Sequence, residues 1–298
     1  MKARRYQGVV VPMVTPLTSN GKLDTAAVER IIEMFAQAGV HPLLMGTTGE
    51  GNSVSKEEAV LLVKTAAQAA RGRITIYAGL TGNCVGEQYV QGNRFFDAGA
   101  DVIAATLPAY YQLTPEQMYT YYKDLADALK GPLMLYNITI TTHMSIPLDV
   151  IARLADHPNI VGLKDSENNL PRVDECLKLV AGRDDFAYFC GCAANSAHAL
   201  ADGADGIVPS GGNIVPDLYQ QLFEAGIKGD TAEAERLQQA TNEIGQVYQK
   251  GFTLGQSLAA LKVMMGTKGL CGPDMLPPLT KLSDEEVQMV KERMHALD

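Results

Sequence analysis

The sequence has no tryptophan, no cysteine pair in CxxC spacing, no P-loop and no excess of positive charge. Each absence removes a class of function. Without tryptophan, a large aromatic substrate is less attractive. The five cysteines, Cys84, Cys176, Cys190, Cys192 and Cys271, are odd in number and match no disulfide framework, which points to free thiols in a reducing compartment. Against 34 acidic residues stand 25 basic ones, and the net charge of −9 argues against a nucleic-acid or anionic-membrane partner. The histidines (His41, His143, His157, His198 and His295) show no metal-ligand spacing, so no catalytic metal is expected. No apolar stretch is long enough to cross a bilayer. The basic start, residues 1–6, leads into a short apolar run broken by Pro12 rather than into a signal-peptide core, so a cytoplasmic location is expected.

What is present is a strand-then-helix rhythm in a chain that is 46% hydrophobic, enough for one large core. Short β-branched or apolar runs over 8–16, 42–46, 74–80, 101–107, 132–137, 160–166, 186–191 and 206–210 predict eight strands. Segments with helical apolar spacing alternate with them, the last ending near Ala225. Ser55 with Glu58, and Thr114 with Gln117, carry the capping-box pattern, and Pro115 suits a first helical position. Gly39, Gly72, Gly99, Gly131 and Gly203 close helical stretches. This alternation predicts an α/β fold, a (β/α)8 TIM barrel over residues 1–225, with a C-terminal helical extension over 226–298 packed on it. A doubly wound open sheet is the competitor, but its first strand often runs into a glycine fingerprint, whereas here Val14-Thr15-Pro16 follows.

In such barrels the reactive groups sit at the C-terminal ends of the strands. That rule selects Gly46-Thr47-Thr48-Gly49-Glu50 after strand 2, Tyr110 and Tyr111 after strand 4, Tyr136-Asn137 on strand 5, Lys164 on strand 6 and residues 210–213 after strand 8. Lys164 is the sharpest of these. Burial disfavours a lysine's ammonium form and leaves an amine able to attack a carbonyl; alternatively, Lys164 pairs with Asp165 or reaches out to solvent. Tyr136, on the adjacent strand, is a candidate proton relay or else a core tyrosine. Residues 46–49 offer converging N–H groups for a carboxylate or form an ordinary turn. Tyr110 extends a possible relay to Tyr136 through Thr48, with aromatic packing as the alternative. Residues 210–213 fall where many barrels hold a phosphate, which keeps a phosphorylated substrate open. Cys190 and Cys192 read as small core residues.

With these residues in place, the chain resembles the dihydrodipicolinate synthase / N-acetylneuraminate lyase family of class I aldolases over nearly its whole length. The resemblance rests on Gly46-Thr47-Thr48-Gly49-Glu50, Pro108-Ala109-Tyr110-Tyr111, Tyr136-Asn137, Gly162-Leu163-Lys164-Asp165 and Leu276-Pro277-Pro278-Leu279. It implies that Lys164 forms a covalent imine with a pyruvate-type 2-oxo acid, with no separate cofactor. It implies that Tyr136 shuttles protons and that Gly46, Thr47 and Thr48 form the carboxylate site. Tyr110 would complete a Tyr–Thr–Tyr relay, often from a neighbouring subunit, and the backbone of Val208 would contact the keto acid. A homo-oligomer, a dimer or tetramer, is also implied.

The chain departs from the synthase pattern beyond the keto-acid half. Where the synthases carry a proline and then an arginine after the tyrosine, this chain has Thr139 and Thr141; His143 replaces a glycine, and Cys192-Ala193 replaces an acidic pair. A threonine has no bidentate cationic fork to clamp an aldehyde's carboxylate. A pocket of Thr139, Thr141, Thr142, His143 and Ser210 suits a hydroxylated acceptor, as in aldol cleavage of a 2-keto-3-deoxy sugar acid to an aldehyde and pyruvate. Dehydration of such an acid, the synthase reaction with aspartate semialdehyde, and a non-enzymatic 2-oxo acid sensor are the alternatives.

Overall fold

Eight parallel strands follow one another round a closed barrel in the computed structural model, which describes residues 6–297. Residues 1–5, most of the basic start read for a leader, lie outside the described residues. The strands are β1 (Gly8–Pro12), β2 (His41–Leu44), β3 (Tyr77–Leu80), β4 (Val102–Thr106), β5 (Leu133–Asn137), β6 (Ile160–Asp165), β7 (Ala187–Cys190) and β8 (Gly206–Ile207). The ring closes where Gly8 pairs with Gly206. The strand-connecting helices are α1 (Thr25–Ala38), α2 (Lys56–Ala70), α3 (Val85–Asp97), α4 (Pro115–Ala128), the one-turn α5 (Thr139–Thr142), α6 (Leu148–Leu154), α7 (Leu170–Val180), α8 (Ser196–Ala201) and α9 (Pro216–Lys228). The fold is the expected TIM barrel. Its last helix runs to Lys228, past the boundary drawn at Ala225.

The strands are apolar on both faces because both are covered. Val10, Leu43, Tyr77, Val102, Ala104, Met134 and Phe189 fill the barrel, while a larger cluster packs the outer strand faces against the helices. Side chains in register share a face, and one layer near the C-terminal ends runs Thr106, Tyr136, Lys164, Phe189, Gly206.

Several boundaries differ from the sequence reading because side chains take over backbone groups. β3 starts at Tyr77, not residue 74, since the Thr75 and Ile76 N–H groups donate to His41 Nδ1 (3.1 Å) and Asp101 Oδ2 (2.8 Å). β8 is short because Ser210–Asn213 wind into a 3-10 turn, from which Asn213 donates to Pro12 O at 2.9 Å and accepts from Val14 N–H at 3.1 Å. The turn α5 forms in a run of β-branched residues because Ile138 O accepts both the Thr142 N–H (3.1 Å) and its hydroxyl (2.9 Å). Thr114 and Gln117 make the full capping box; Ser55 only accepts from the Glu58 N–H.

Beyond Lys228 lie α10 (Thr231–Gln249), α11 (Leu254–Thr267) and α12 (Asp284–His295). In α11 every residue from Ser257 to Met265 is buried, the pattern of a helix enclosed on all sides. Among the described residues no helix is long and apolar enough to cross a membrane.

Candidate active site

Strand parity puts Lys164 and Tyr136 inside the barrel and their neighbours Asp165 and Asn137 outside it. Both inward side chains are 3% exposed, and the Lys164 Nζ lies 3.7 Å from the centre of the Tyr136 ring. Among the described residues no carboxylate comes within 4.0 Å of that amine. The alternatives of an Asp165 partner and of a solvent-reaching lysine are therefore both overturned. Asp165 is taken on the outer face by Arg172 Nε (2.7 Å), Asn137 Nδ2 (3.1 Å) and the Glu167 N–H (3.0 Å). Burial works against the Arg172 guanidinium, but the charge and hydrogen bond of Asp165, joined by the nearby Cys176 and Glu167, together hold its pKa above the ordinary value. Burial also pushes the nearby Cys190 and Cys176 thiols up to about 12, so both stay neutral and serve as core residues.

The turn after β2 supplies the next groups. The Thr47 hydroxyl stands 3.4 Å from the Tyr136 hydroxyl. The expected relay through Thr48 is thus corrected: tertiary packing brings Thr47, not Thr48, to Tyr136. The N–H groups of Gly49, Glu50 and Gly51 all bond within the turn, to Gly46 O, Thr47 O and Gly46 O. Those of Thr47 and Thr48 meet no protein acceptor among the described residues. Two adjacent free N–H groups, one of them on the threonine whose hydroxyl meets Tyr136, suit an anionic oxygen.

This conformation is held under strain. Met45 and Glu50 have φ of 57° and 55°, in the left-handed region. Gly79 of β3 passes so close beneath that a Cβ there would stand 2.5 Å from Met45 O. Thr15 grips Gly49 O at 2.5 Å. From the C-terminal extension, Lys262 pairs with Glu50, at 1% and 0% side-chain exposure. None of these supports was picked out in the sequence. Glu50 belongs to the quoted motif, but its partner lies 212 residues away and no local pattern marks it.

At the barrel mouth a cavity of about 350 Å³ is lined by Gly46, Thr47, Asn83, Thr106, Thr141 and Thr142 among others, none of them charged. Asn83 and Thr106 also went unnoticed in the sequence; Thr106 is legible only through its register with Tyr136. Val208 sits in the barrel interior with its N–H on Cys190 O at 2.8 Å. The Ser210 hydroxyl is paired with the Tyr248 hydroxyl of α10 at 2.7 Å. Tyr110 is not brought to the relay within the chain. It is 77% exposed, its N–H bonds Asn83 Oδ1 at 3.0 Å, and its ring packs edge-on against Tyr111.

Comparison with known proteins gives the family. Residues 5–297 match the model of the dihydrodipicolinate synthetase family. The 4-hydroxy-tetrahydrodipicolinate synthase of Nitrosospira multiformis is 32% identical over 97% of this chain and 94% of its own. The enzyme of the same name from Thiobacillus denitrificans is 30% identical over 97% and 96%. Among solved structures, YagE from E. coli K12, a member of the dihydrodipicolinic acid synthase family in complex with pyruvate, superposes with a TM-score of 0.92 at 26% identity, covering 98% of this chain and 99% of that one. The dihydrodipicolinate synthase of Bacteroides thetaiotaomicron gives 0.92 at 27% identity over 99% of each chain. The chain belongs to the dihydrodipicolinate synthetase family and is an enzyme of the carbon–carbon lyase class.

Proposed function

We propose that the protein is a Schiff-base lyase of pyruvate-type 2-oxo acids, with Lys164 as the nucleophile. One observation carries the reading: a buried amine without a carboxylate partner faces a buried tyrosine near the open end of the barrel. The Lys164 Nζ attacks the keto carbon, and the carbinolamine loses water to give an iminium. Cleavage of the C3–C4 bond sends its electron pair into the iminium and leaves a pyruvate enamine. The C4 hydroxyl gives its proton to Tyr136 as Tyr136 passes its own on to Thr47, and C4 leaves with its oxygen as the aldehyde carbonyl. Protonation at C3 and hydrolysis release pyruvate and restore the amine. The substrate carboxylate rests on the Thr47 and Thr48 N–H groups beside Gly46, and the Val208 backbone borders the keto acid.

The aldehyde half of the pocket is neutral. Thr141 stands where a synthase arginine is expected, and hydroxyl and amide groups line the mouth. A hydroxylated aldehyde, the tail of a 2-keto-3-deoxy sugar acid, suits that lining; dehydration of the same acid shares the iminium. The names of the curated relatives favour a second reading, condensation of pyruvate with aspartate semialdehyde. We read Tyr110 as completing the relay from a second copy of the chain in a dimer or tetramer. Tyr110, Tyr111 and Ile140, 77%, 71% and 66% exposed, provide apolar surface for such a contact. The free thiols fit a cytoplasmic setting.

Borohydride reduction with pyruvate, followed by peptide mapping, should label Lys164. A label elsewhere, or none, removes the mechanism. A panel of aldehydes then separates the acceptors: turnover with hydroxylated aldehydes supports the leading reading, a saturated 2-oxo product marks dehydration, and rescue of a diaminopimelate-requiring strain establishes the synthase.

A further inference from the structure

The loop that offers free N–H groups at Thr47 and Thr48 ends in a residue held by the C-terminal extension. Glu50 uses both carboxylate oxygens outside its own turn. One pairs with Lys262 of α11, and the other accepts the Leu276 N–H at 2.8 Å. The Lys262 ammonium also donates to Asp274 O at 2.7 Å, so helix and following loop close on the carboxylate together. The pair is wholly buried, and Glu50 itself holds a left-handed φ of 55°.

A buried ion pair is a poor means of gaining stability, because desolvating two charges offsets much of their attraction and an apolar pair of the same volume often does as well. It is a good means of fixing direction, since its hydrogen bonds tolerate only one arrangement. A strained backbone persists only where its surroundings over-determine it. The grips of Thr15 and Gly79 come from the barrel; the grip on Glu50 comes from the extension.

We propose that Lys262 is a positioning residue for keto-acid recognition: acting through Glu50, it aims the Thr47 and Thr48 N–H groups at the substrate carboxylate. The C-terminal extension is thereby part of the active site. This rests on reading that turn as the carboxylate site, and the test separates the two.

The experiment is borohydride trapping over a range of pyruvate concentrations, and in parallel with acetone, which has the ketone but no carboxylate. The variants are Lys262→Met, Glu50→Gln and the double substitution, which leaves no uncompensated buried charge where a single variant fails to fold. Circular dichroism reports the fold of each. In the folded variants the half-saturating pyruvate concentration should rise about tenfold or more, the factor that corresponds to about 1.4 kcal/mol of lost binding. Labelling at saturating pyruvate, and labelling by acetone, should stay at the wild-type level. Equal losses with pyruvate and acetone would reveal a merely structural pair, and unchanged half-saturation in a folded variant would refute the brace. Failure of the wild-type protein to label Lys164 would instead refute the underlying mechanism.

Discussion

Arg172 holds Asp165 from outside the barrel through a 2.7 Å bond from Nε to Oδ2, on the face opposite Lys164. The same guanidinium donates to Ile146 O at 2.9 Å, and Asn137 Oδ1 accepts the Ile146 N–H at 3.1 Å. Adjacent residues of β6 thus have opposite tasks: one carboxylate is anchored outward so that the next amine inward can stand without a counter-charge. Arg172→Leu would leave the Asp165 carboxylate buried without a counter-charge, at a cost of about 3–5 kcal/mol. Denaturant unfolding should show that loss, and an unfolding midpoint equal to wild type would mean that the pair does not anchor the strand.

Thr47 and Thr48 are neighbours with different contacts, and only Thr47 reaches the Tyr136 hydroxyl. Thr47→Val removes a hydroxyl from the proton path and should lower kcat by about tenfold, in line with about 1.4 kcal/mol of hydrogen bonding to a reacting group. Thr48→Val keeps the backbone N–H and should leave kcat within about twofold of wild type. Steady-state kinetics on both variants decides the order of the relay, and the reverse ranking would reinstate Thr48.

Gly79 has no room for a side chain, because a Cβ would stand 2.5 Å from Met45 O and 2.9 Å from the Gly46 N. Gly79→Ala should destabilise the fold by about 1–3 kcal/mol, the usual cost of overpacking. It should also weaken pyruvate labelling of Lys164, since the turn it displaces is the proposed carboxylate site. Thermal melting and borohydride trapping give the two readings, and a variant with wild-type values in both would show that the turn yields freely.

His41 gives the fold a pH dependence of its own. Burial holds its imidazole below the ordinary value of 6.5, with the Asp101 charge pulling the other way. The Nδ1 atom accepts the Thr75 N–H at 3.1 Å, a role that protonation abolishes. Because the folded value is depressed, the contribution is fully present above about 6.5 and is lost as pH falls through the folded value, with a slope of at most about 1.4 kcal/mol per pH unit. Glu33, held down to about 2 by its Arg73 hydrogen bonds, acts only in a more acidic window. Unfolding followed from about pH 7 to pH 5 should steepen with acid in the wild type and flatten in His41→Gln. Parallel curves would locate the effect elsewhere.

The sequence by itself determined the barrel and the order of its strands. The apolar run over 160–166 marked the strand that carries Lys164, and the strand-then-helix rhythm made the strand of Tyr136 its neighbour, because both are local patterns that a short window displays; whether Lys164 faced inward, paired with Asp165 or reached solvent stayed open until the barrel closed. Tertiary structure alone decided which threonine meets Tyr136, which base takes Asp165, that Tyr110 points away from its own site, and that Lys262 reaches Glu50. The Thr47–Tyr136 contact spans 89 positions and the Glu50–Lys262 pair 212. Their partners are chosen by how the barrel closes and where the last helices dock, and those distances leave no periodic trace in the order of residues.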